Sequence, residues 1–414
     1  MTGAGALAAG GPAAGDTNRI FVLRSLRAFG FGFLGVLLAL YLERFGFGAV
    51  QIGLYLSLAT LGGIGVNFAF SRLADRRGRR RTLALAGALF TVAGILMAVA
   101  QSPLLLLLAA IAGAVPPGGN GLFSAVEQAM LGGHHSARRT QVFALYGFLG
   151  SGAMAAGSLA AGLPDLLAAH GLPVMTAFRL MMALYAVLGL AMVALALSLS
   201  PAVEPAPAAD PAEAAEAAPK RSLLGLGRSH RMMVQMASLF IADAFGSALV
   251  TTALLVYWLH ARFGMSATHL ALLFAGTQVL SAISMLLAAP LARRIGLINT
   301  AVWTHIPSSM FLMAVPLMPS AGPAVVLLLA RALLVQMDVP TRQAFIASVV
   351  DPEERAAAAG VTTMGYQVGQ LAGPAVGGIT LVAGALGTFF LAGGIKIAYD
   401  LTLWQLFRHV KPRT

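Results

Sequence analysis

Cysteine is absent from this 414-residue chain, and charged residues make up only 10% of it. Without cysteine, disulfides, thiolate metal sites, iron–sulfur clusters and a cysteine nucleophile are all excluded. A soluble domain carries about 25% charged residues, so less than half of the usual solvating charge is present here. These shortages exclude a soluble enzyme and a disordered chain.

The apolar residues are arranged in runs long enough to cross a membrane. Hydrophobic residues make up 58% of the chain, and its mean hydropathy is +0.83. A helix needs about 20 apolar residues to cross the hydrocarbon core of a bilayer, and windows of about 19 residues locate such runs. The predicted spans lie near 20–42, 49–70, 82–100, 103–126, 142–163 and 174–199, then near 232–258, 268–291, 297–317, 322–346, 358–383 and 386–408. We therefore expect an all-α integral membrane protein with twelve transmembrane helices.

The net charge of +12 is explained by membrane orientation, so it predicts no nucleic-acid partner. Twelve spans put both termini and the connection between spans 6 and 7 on one side. That side holds the Arg72–Arg81 cluster, whereas the opposite connections hold only Arg44 and Arg262. By the positive-inside rule, we expect cytoplasmic termini in a plasma (bacterial inner) membrane.

A segment rich in proline, alanine and acidic residues separates the two sets of six spans. Such a composition cannot bury a core and is typical of a flexible or extended tether. The predicted organisation is a flexible N-terminal tail at 1–19, a six-helix bundle at 20–200, a cytoplasmic linker at 201–231, a second six-helix bundle at 232–408 and a C-terminal tail at 409–414.

The two halves share a weak internal repeat. The sequence LADRRG at 73–78, between spans 2 and 3, returns 218 residues later as LARRIG at 291–296. The sequence EQAML at 127–131, which closes span 4, returns 215 residues later as RQAFI at 342–346. Because the offsets nearly agree and each half has an even number of spans, we expect two bundles related by an axis along the membrane normal.

The loop at 71–81, SRLADRRGRRR, resembles the signature Gly-x-Leu-x-Asp-Arg-x-Gly-Arg-Arg of the major facilitator superfamily of secondary transporters, with Ser71 in place of the first glycine. The matching residues, which the resemblance implies form a cytoplasmic gate, are Asp75, Arg76, Gly78, Arg79 and Arg80. An acid is stabilised at a helix N-terminus, so we expect Asp75 to reach the start of span 11 near Thr362 or Thr363. Arg76, Arg79 and Arg80 are expected to add ion pairs or to contact anionic lipid heads.

Residues 369–378, GQLAGPAVGG, resemble the Gly-x-x-x-Gly-Pro-x-x-Gly-Gly element of the drug and proton antiporters in that superfamily. In those exporters the element lies in span 5, whereas here it lies in span 11. Glycines four residues apart let helices approach closely, which predicts a tight interface of span 11 with span 8 at the seam of the bundles. The pattern fits either ordinary helix packing or a hinge. The residues of the predicted hinge are Gly369, Gly373, Pro374, Gly377 and Gly378.

Ionisable residues within membrane spans are costly and are candidates for function. The resemblance implies that spans 1, 4, 7 and 10 line a central cavity, and this selects Arg27, Asp243, Arg331 and Asp338. We expect Asp243 to be the proton-coupling acid with Asp338 as its competitor, or else a permanent Asp–Arg pair that fixes helix register. Arg27 is expected to bind an anionic substrate group or Asp243.

Three further in-span residues are assigned structural roles. Lys396 and Asp400 are four residues apart on span 12, which predicts an internal pair near its lipid-facing side. His305 in span 9 is expected to be a hydrogen-bonded packing residue. Asp338 and Arg342, also four residues apart, are expected to pair on one face of span 10.

These observations predict a secondary transporter that works by alternating access as a monomer, without a cofactor or metal. The favoured function is proton-coupled efflux of a small amphipathic compound. The alternatives are an importer or uniporter of a sugar or organic anion, and, from other classes, an integral membrane enzyme or a receptor-like scaffold. No Walker motif or metalloprotease motif occurs in the sequence, so we expect neither ATP-driven pumping by this chain alone nor catalysis.

Overall fold

The computed structural model describes residues 14–112, 114–115, 120–131, 136–204, 230–350 and 354–410. Most of the predicted linker 201–231 lies outside these ranges. Within them the regular secondary structure is helical. This is the only regular structure besides a closed barrel that satisfies its own backbone hydrogen bonds in lipid.

The first six predicted spans form eight α-helices. Span 4 is divided between α4 and α5, since the described residues 112, 114 and 115 are not helical, and span 5 is extended by a short helix. The helices are α1 (Ala14–Glu43), α2 (Ala49–Arg77), α3 (Arg79–Ala98), α4 (Pro103–Ile111), α5 (Asn120–Leu131), α6 (Ser136–Ala160), α7 (Leu163–Ala169) and α8 (Val174–Ser198), followed by a 3-10 turn at Pro201–Val203.

The second six predicted spans also form eight α-helices, because spans 7 and 10 are each divided in two. The helices are α9 (His230–Leu249), α10 (Thr252–Phe263), α11 (Ala267–Ile295), α12 (Leu297–Ala314), α13 (Ala321–Val335), α14 (Asp338–Val349), α15 (Arg355–Ala383) and α16 (Ala385–Phe407). At the break in span 7, between α9 and α10, the Thr251 hydroxyl accepts a hydrogen bond from the amide of Leu254. It thereby satisfies a donor at the new helix start.

Nine segments of the described residues are long and apolar enough to cross a membrane. They correspond to predicted spans 1, 2, 3, 5, 6, 7, 8, 10 and 12. The three other spans are helical but differ in composition or continuity. Span 4 is interrupted, and span 9 buries five polar side chains: Thr300, Thr304, His305, Ser308 and Ser309. The chain is an all-α membrane protein whose helices account for the twelve predicted spans.

The chain divides into two units, Met1–Tyr41 with Leu58–Ala208, and Leu42–Ser57 with Ala209–Thr414. The second unit therefore includes the N-terminal part of α2, which packs on α15: the Ser57 hydroxyl accepts a hydrogen bond from the amide of Ala375 at 3.0 Å. The apolar core of this unit is built from α9, α12, α14 and α16, with Phe240, Val302 and Phe345 among its buried residues.

Candidate functional site

Among the described residues of the first unit, a buried ion pair joins Arg27 on α1 to Glu127 on α5. The Arg27 Nη2 atom lies 2.6 Å from Glu127 Oε2, and both side chains are fully buried. The Tyr146 hydroxyl on α6 donates to the same carboxylate oxygen at 2.5 Å, and the Arg27 guanidinium lies over the Phe123 ring. Buried charges are found paired and hydrogen bonded, and this pair joins three helices.

In the second unit, the Asp243 carboxylate on α9 lies between two cations. The Lys396 Nζ atom on α16 donates to Asp243 Oδ1 at 2.9 Å, and the Arg342 Nη1 atom on α14 donates to Oδ2 at 3.3 Å. The Lys396 ammonium group also donates to the Ser247 hydroxyl at 2.6 Å. Asp243 is 4% exposed and Lys396 is 2% exposed, so this charged contact is shielded from water.

Arg342 is shared between two carboxylates. Its Nη1 atom also lies 3.3 Å from Asp338 Oδ2, which confirms the predicted pair on one face of span 10. The same atom donates to the Tyr399 hydroxyl at 3.1 Å, and the guanidinium lies over the Phe240 ring. Asp243 and Asp338 therefore compete for one guanidinium group.

The predicted pair between Lys396 and Asp400 is wrong, as is the lipid-facing position given to it. Both residues are buried. Lys396 binds Asp243, and Asp400 accepts from His305 Nδ1 on α12 at 2.9 Å. The predicted hydrogen-bonded packing of His305 is confirmed, and its partner is a carboxylate. Lys396 finds an oppositely charged partner, and Asp400 a hydrogen-bond donor, on neighbouring helices, because each of these contacts compensates a buried charge.

Arg331 on α13 lies close enough to interact electrostatically with Asp243 and His305. It forms no ion pair within the described part of the chain, and its buried Nε atom has no hydrogen-bond partner there. Arg27 and Asp243 each find an ion-pair partner within their own unit.

The repeat connects the two sites. Arg27 and Asp243 are 216 residues apart, and their partners Glu127 and Arg342 are 215 apart. Each half thus places an ion pair at corresponding positions, with the charges exchanged.

A second pair of positions that correspond in the repeat holds chemically different residues in the two halves. Phe90 and Tyr185 stack in the first unit with ring centroids 3.8 Å apart. The residues 215 positions later are His305 and Asp400, which form the hydrogen-bonded pair of the second unit. The second half therefore has ionisable groups where the first half has an aromatic stack.

The predicted gate residues lie at the α2–α3 turn. The Asp75 side chain lies outside the described residues, and Arg76 is exposed. Gly78 has a φ of 90°, which glycine adopts without strain. The Glu204 carboxylate accepts from the amides of Arg79 at 2.5 Å and Arg80 at 3.1 Å, and so caps the start of α3.

The predicted span 8 partner of the span 11 glycines is wrong, because these glycines face α9 and α2. A Cβ on Gly369 would overlap the carbonyl oxygen of Ile241, and one on Gly377 would overlap that of Leu249. Gly373 contacts Ala248, which also lies on α9. Glycines let backbones approach this closely in lipid, and Gly365 extends the row against Ala237.

Pro374 and Gly378 contact the other neighbour. The Pro374 carbonyl oxygen lies against Gly53 on α2, and Gly378 lies against Ala49. In the first unit, Gly157 on α6 similarly meets the carbonyl oxygen of Phe29 on α1. Close glycine packing between the first and fifth spans of each half is therefore common to both repeats.

Sequence reasoning missed Glu127, Lys396, Asp400 and His305 as members of charged sites. The signal was available in the repeat, because Glu127 and Arg342 begin the two matching pentapeptides. No sequence pattern pairs Lys396 with Asp243, since 153 residues separate them.

The sequence-family model of the Major Facilitator Superfamily matches residues 20–339 and 237–414 of this chain. The chain is 26% identical over 421 aligned positions to a Saccharomyces cerevisiae protein described as "Uncharacterized membrane protein YJR124C", covering 95% of this chain and 94% of the relative.

Solved structures show the same fold at low identity. The nucleoside transporter NupG matches with a TM-score of 0.70 at 14% identity, covering 95% of this chain and 99% of that one. The peptide transporter POT, a mutant in complex with sulfate, matches with a TM-score of 0.71 at 16% identity and 94% coverage of both chains. A bacterial homologue of the human lysosomal transporter Spinster, inward-facing and unoccupied, matches with a TM-score of 0.67 at 14% identity and 94% coverage of both chains. With helices that account for twelve predicted spans, a two-fold repeat and a family match across its length, this chain belongs to the Major Facilitator Superfamily of membrane transporters.

Proposed function

We propose that this transporter exports a small amphipathic cation in exchange for protons, by alternating access. The observation that carries the proposal is the buried, charge-balanced network of the second unit. The network consists of Asp243, Asp338, Asp400, Lys396, Arg342, Arg331 and His305.

The network sets three carboxylates against three basic side chains. With His305 neutral, the charges of the seven groups sum to zero. A further positive charge in a buried site is costly unless it is compensated. One proton, bound to a carboxylate or to His305, gives the network a single positive charge.

A cationic substrate bound near this network also adds one positive charge, as a proton does. Proton and substrate together would leave two positive charges uncompensated, so each disfavours the other. Exchange follows if the site opens to one side with the proton bound and to the other side with the substrate bound. This mutual exclusion is the electrostatic basis of antiport.

Protonation of Asp243 would also change the contacts that hold the helices together. The Asp243 carboxylate joins α9 to α16 through Lys396 and to α14 through Arg342. Protonation removes the negative charge that holds both cations, so it weakens two interhelical contacts at once. Asp338 then becomes the remaining partner of Arg342. We assign Asp243 as the coupling acid and Asp338 as the acid that takes over the guanidinium.

Other parts of the proposal rest on the sequence. Arg27 serves substrate recognition in a state in which its pair with Glu127 opens. The loop containing Asp75, Arg76, Gly78, Arg79 and Arg80 gates the cytoplasmic side. The Gly369–Gly378 segment is a hinge, and the protein is a monomer in the plasma (bacterial inner) membrane with both termini cytoplasmic.

The test is transport by the full chain in liposomes with an imposed pH gradient and a panel of fluorescent lipophilic cations. We expect dye movement against the proton flow, abolished by Asp243→Asn. Glu127→Gln is the matched control, because it removes a buried acid at the corresponding ion pair of the other half. It should leave the dependence of the rate on the gradient unchanged.

Three outcomes would overturn the proposal. An Asp243→Asn protein with undiminished pH dependence would exclude Asp243 as the coupling acid. Dye movement in the same direction as the protons would replace antiport by symport. Absence of movement under either gradient would contradict a cationic cargo and favour the importer of a sugar or organic anion, with Arg27 and Arg331 as the next residues to change.

A further inference from the structure

Three arginines line a cavity of about 420 Å³ in the first unit. Arg77 ends α2, and Arg80 and Arg81 lie in the first turn of α3. The acidic side chain among the described lining residues is Glu204, whose carboxylate already accepts two backbone hydrogen bonds at the start of α3. The cavity therefore has an excess of positive charge and suits an anion.

Two of these arginines lack a protein counterion. Arg77 and Arg81 are exposed and form no ion pair with any other residue that the structure describes. Arg80 instead donates from Nη2 to the carbonyl oxygen of Leu197 at 2.7 Å, which fixes its guanidinium at the edge of the cavity. An anion placed here would meet two uncompensated charges and one oriented side chain.

An apolar groove of about 480 Å³ joins this cavity, and Arg77, Arg81 and Leu197 line both. One wall belongs to α3, where Arg81, Ala84, Leu85 and Ala88 follow the spacing of a single helix face. The opposite wall belongs to α8, where Val193 and Leu197 are one turn apart. The small side chains at positions 84 and 88 leave a depression between the two helices.

We propose that the cavity and the groove together bind one anionic phospholipid. Arg77, Arg80 and Arg81 hold its phosphate, and one acyl chain lies along the groove between α3 and α8. A small phosphate would use only the first part of the site. A neutral lipid would leave the arginines without a counterion, so the combination selects for a lipid with net negative charge. Arginine clusters at the membrane interface attract such lipids.

The test uses the purified full-length protein in detergent, titrated with phosphatidylglycerol or with phosphatidylcholine of the same acyl chains, and read by native mass spectrometry. We expect phosphatidylglycerol to be retained preferentially. Each arginine near a phosphate contributes about fivefold, so Arg77→Gln with Arg81→Gln should weaken its binding about 25-fold. Arg293→Gln with Arg294→Gln is the matched control, because it removes the same charge in the last turn of α11.

A second variant separates the lipid from a free anion. Ala88→Phe fills the groove without changing charge, and we expect it to weaken phosphatidylglycerol binding while leaving binding of glycerol phosphate unaffected. The proposal is overturned if the two double-arginine variants weaken lipid binding equally. It is also overturned if Ala88→Phe has no effect while glycerol phosphate competes as well as the lipid, because the site would then hold a free anion. Monodisperse elution of each variant shows that it is folded.

Discussion

Arg27 and Asp243 occupy corresponding positions in the two halves of the chain and carry opposite charges. Arg27 binds Glu127 on α5, and Asp243 binds Arg342 on α14, the residue that corresponds to Glu127. The ion pair is thus retained in the repeat while its polarity is reversed. Within the described residues, the second pair shares its carboxylate with Lys396 and its guanidinium with Asp338, which is why we place proton coupling there.

The first prediction concerns the Arg27–Glu127 pair. We expect Arg27→Met to destabilise the protein by about 3–5 kcal/mol, because it leaves the buried Glu127 carboxylate without its counterion. The measurement is thermal unfolding of the detergent-purified protein. Arg27→Met combined with Glu127→Leu should recover most of the stability, since no unpaired charge then remains. A double variant as unstable as the single one would contradict this explanation.

The second prediction uses the aromatic stack of the first unit as a template. His305→Phe combined with Asp400→Tyr introduces the residues found at the corresponding positions 90 and 185. We expect the double variant to fold, because this pair of side chains already packs at the equivalent place. His305→Phe alone should be less stable, since it leaves a buried carboxylate without its partner.

The same double variant tests whether the His305–Asp400 pair takes part in proton coupling. Transport rates measured over about pH 5.5 to 8.5, the range in which a histidine can change its charge, should depend less on pH than those of the unchanged protein. Leu403→Met, at a buried apolar position of the same helix, serves as the control. An unchanged pH profile in a folded double variant would remove this pair from the proton pathway.

The third prediction concerns the glycine row of α15. Gly369→Leu should destabilise the second unit by about 1–3 kcal/mol, because its side chain would meet the backbone of α9 at Ile241 and Phe245. Gly360→Ala on the same helix is the control, since a Cβ there meets no atom within 4 Å. Thermal unfolding compares the two. Equal stability would mean that α15 does not pack closely on α9.

The fourth prediction concerns the helix cap at the α2–α3 turn. Glu204→Ala should cost about 1 kcal/mol, because it removes the acceptor for the amides of Arg79 and Arg80. Hydrogen exchange of these amides should accelerate, whereas exchange at the α12 start, which follows the corresponding turn at Gly296, should not. Unchanged exchange at positions 79 and 80 would show that Glu204 does not cap α3.

Hydropathy and charge patterns predicted most of the fold, because lipid demands long apolar helices and few charges. The pair between Asp338 and Arg342 was also predictable, since residues four apart share a helix face. The partners of Lys396 and Asp400 were not, although the same spacing relates them to each other. Lys396 and Asp400 each bind a partner on a neighbouring helix instead, and no pattern of spacing within the sequence predicts a contact between helices.

The sequence by itself determined that the helices of this protein make up twelve membrane spans, that the pattern repeats after six of them and that basic residues concentrate in the connections predicted for one side. These properties follow from the length of apolar runs and from the low solubility of charge in lipid. The tertiary structure decided which buried charges meet. It placed Lys396 and Arg342 on either side of Asp243 and turned the span 11 glycines toward α9. Such contacts join residues 99 or more positions apart, and they exist only because helix packing brings the side chains together.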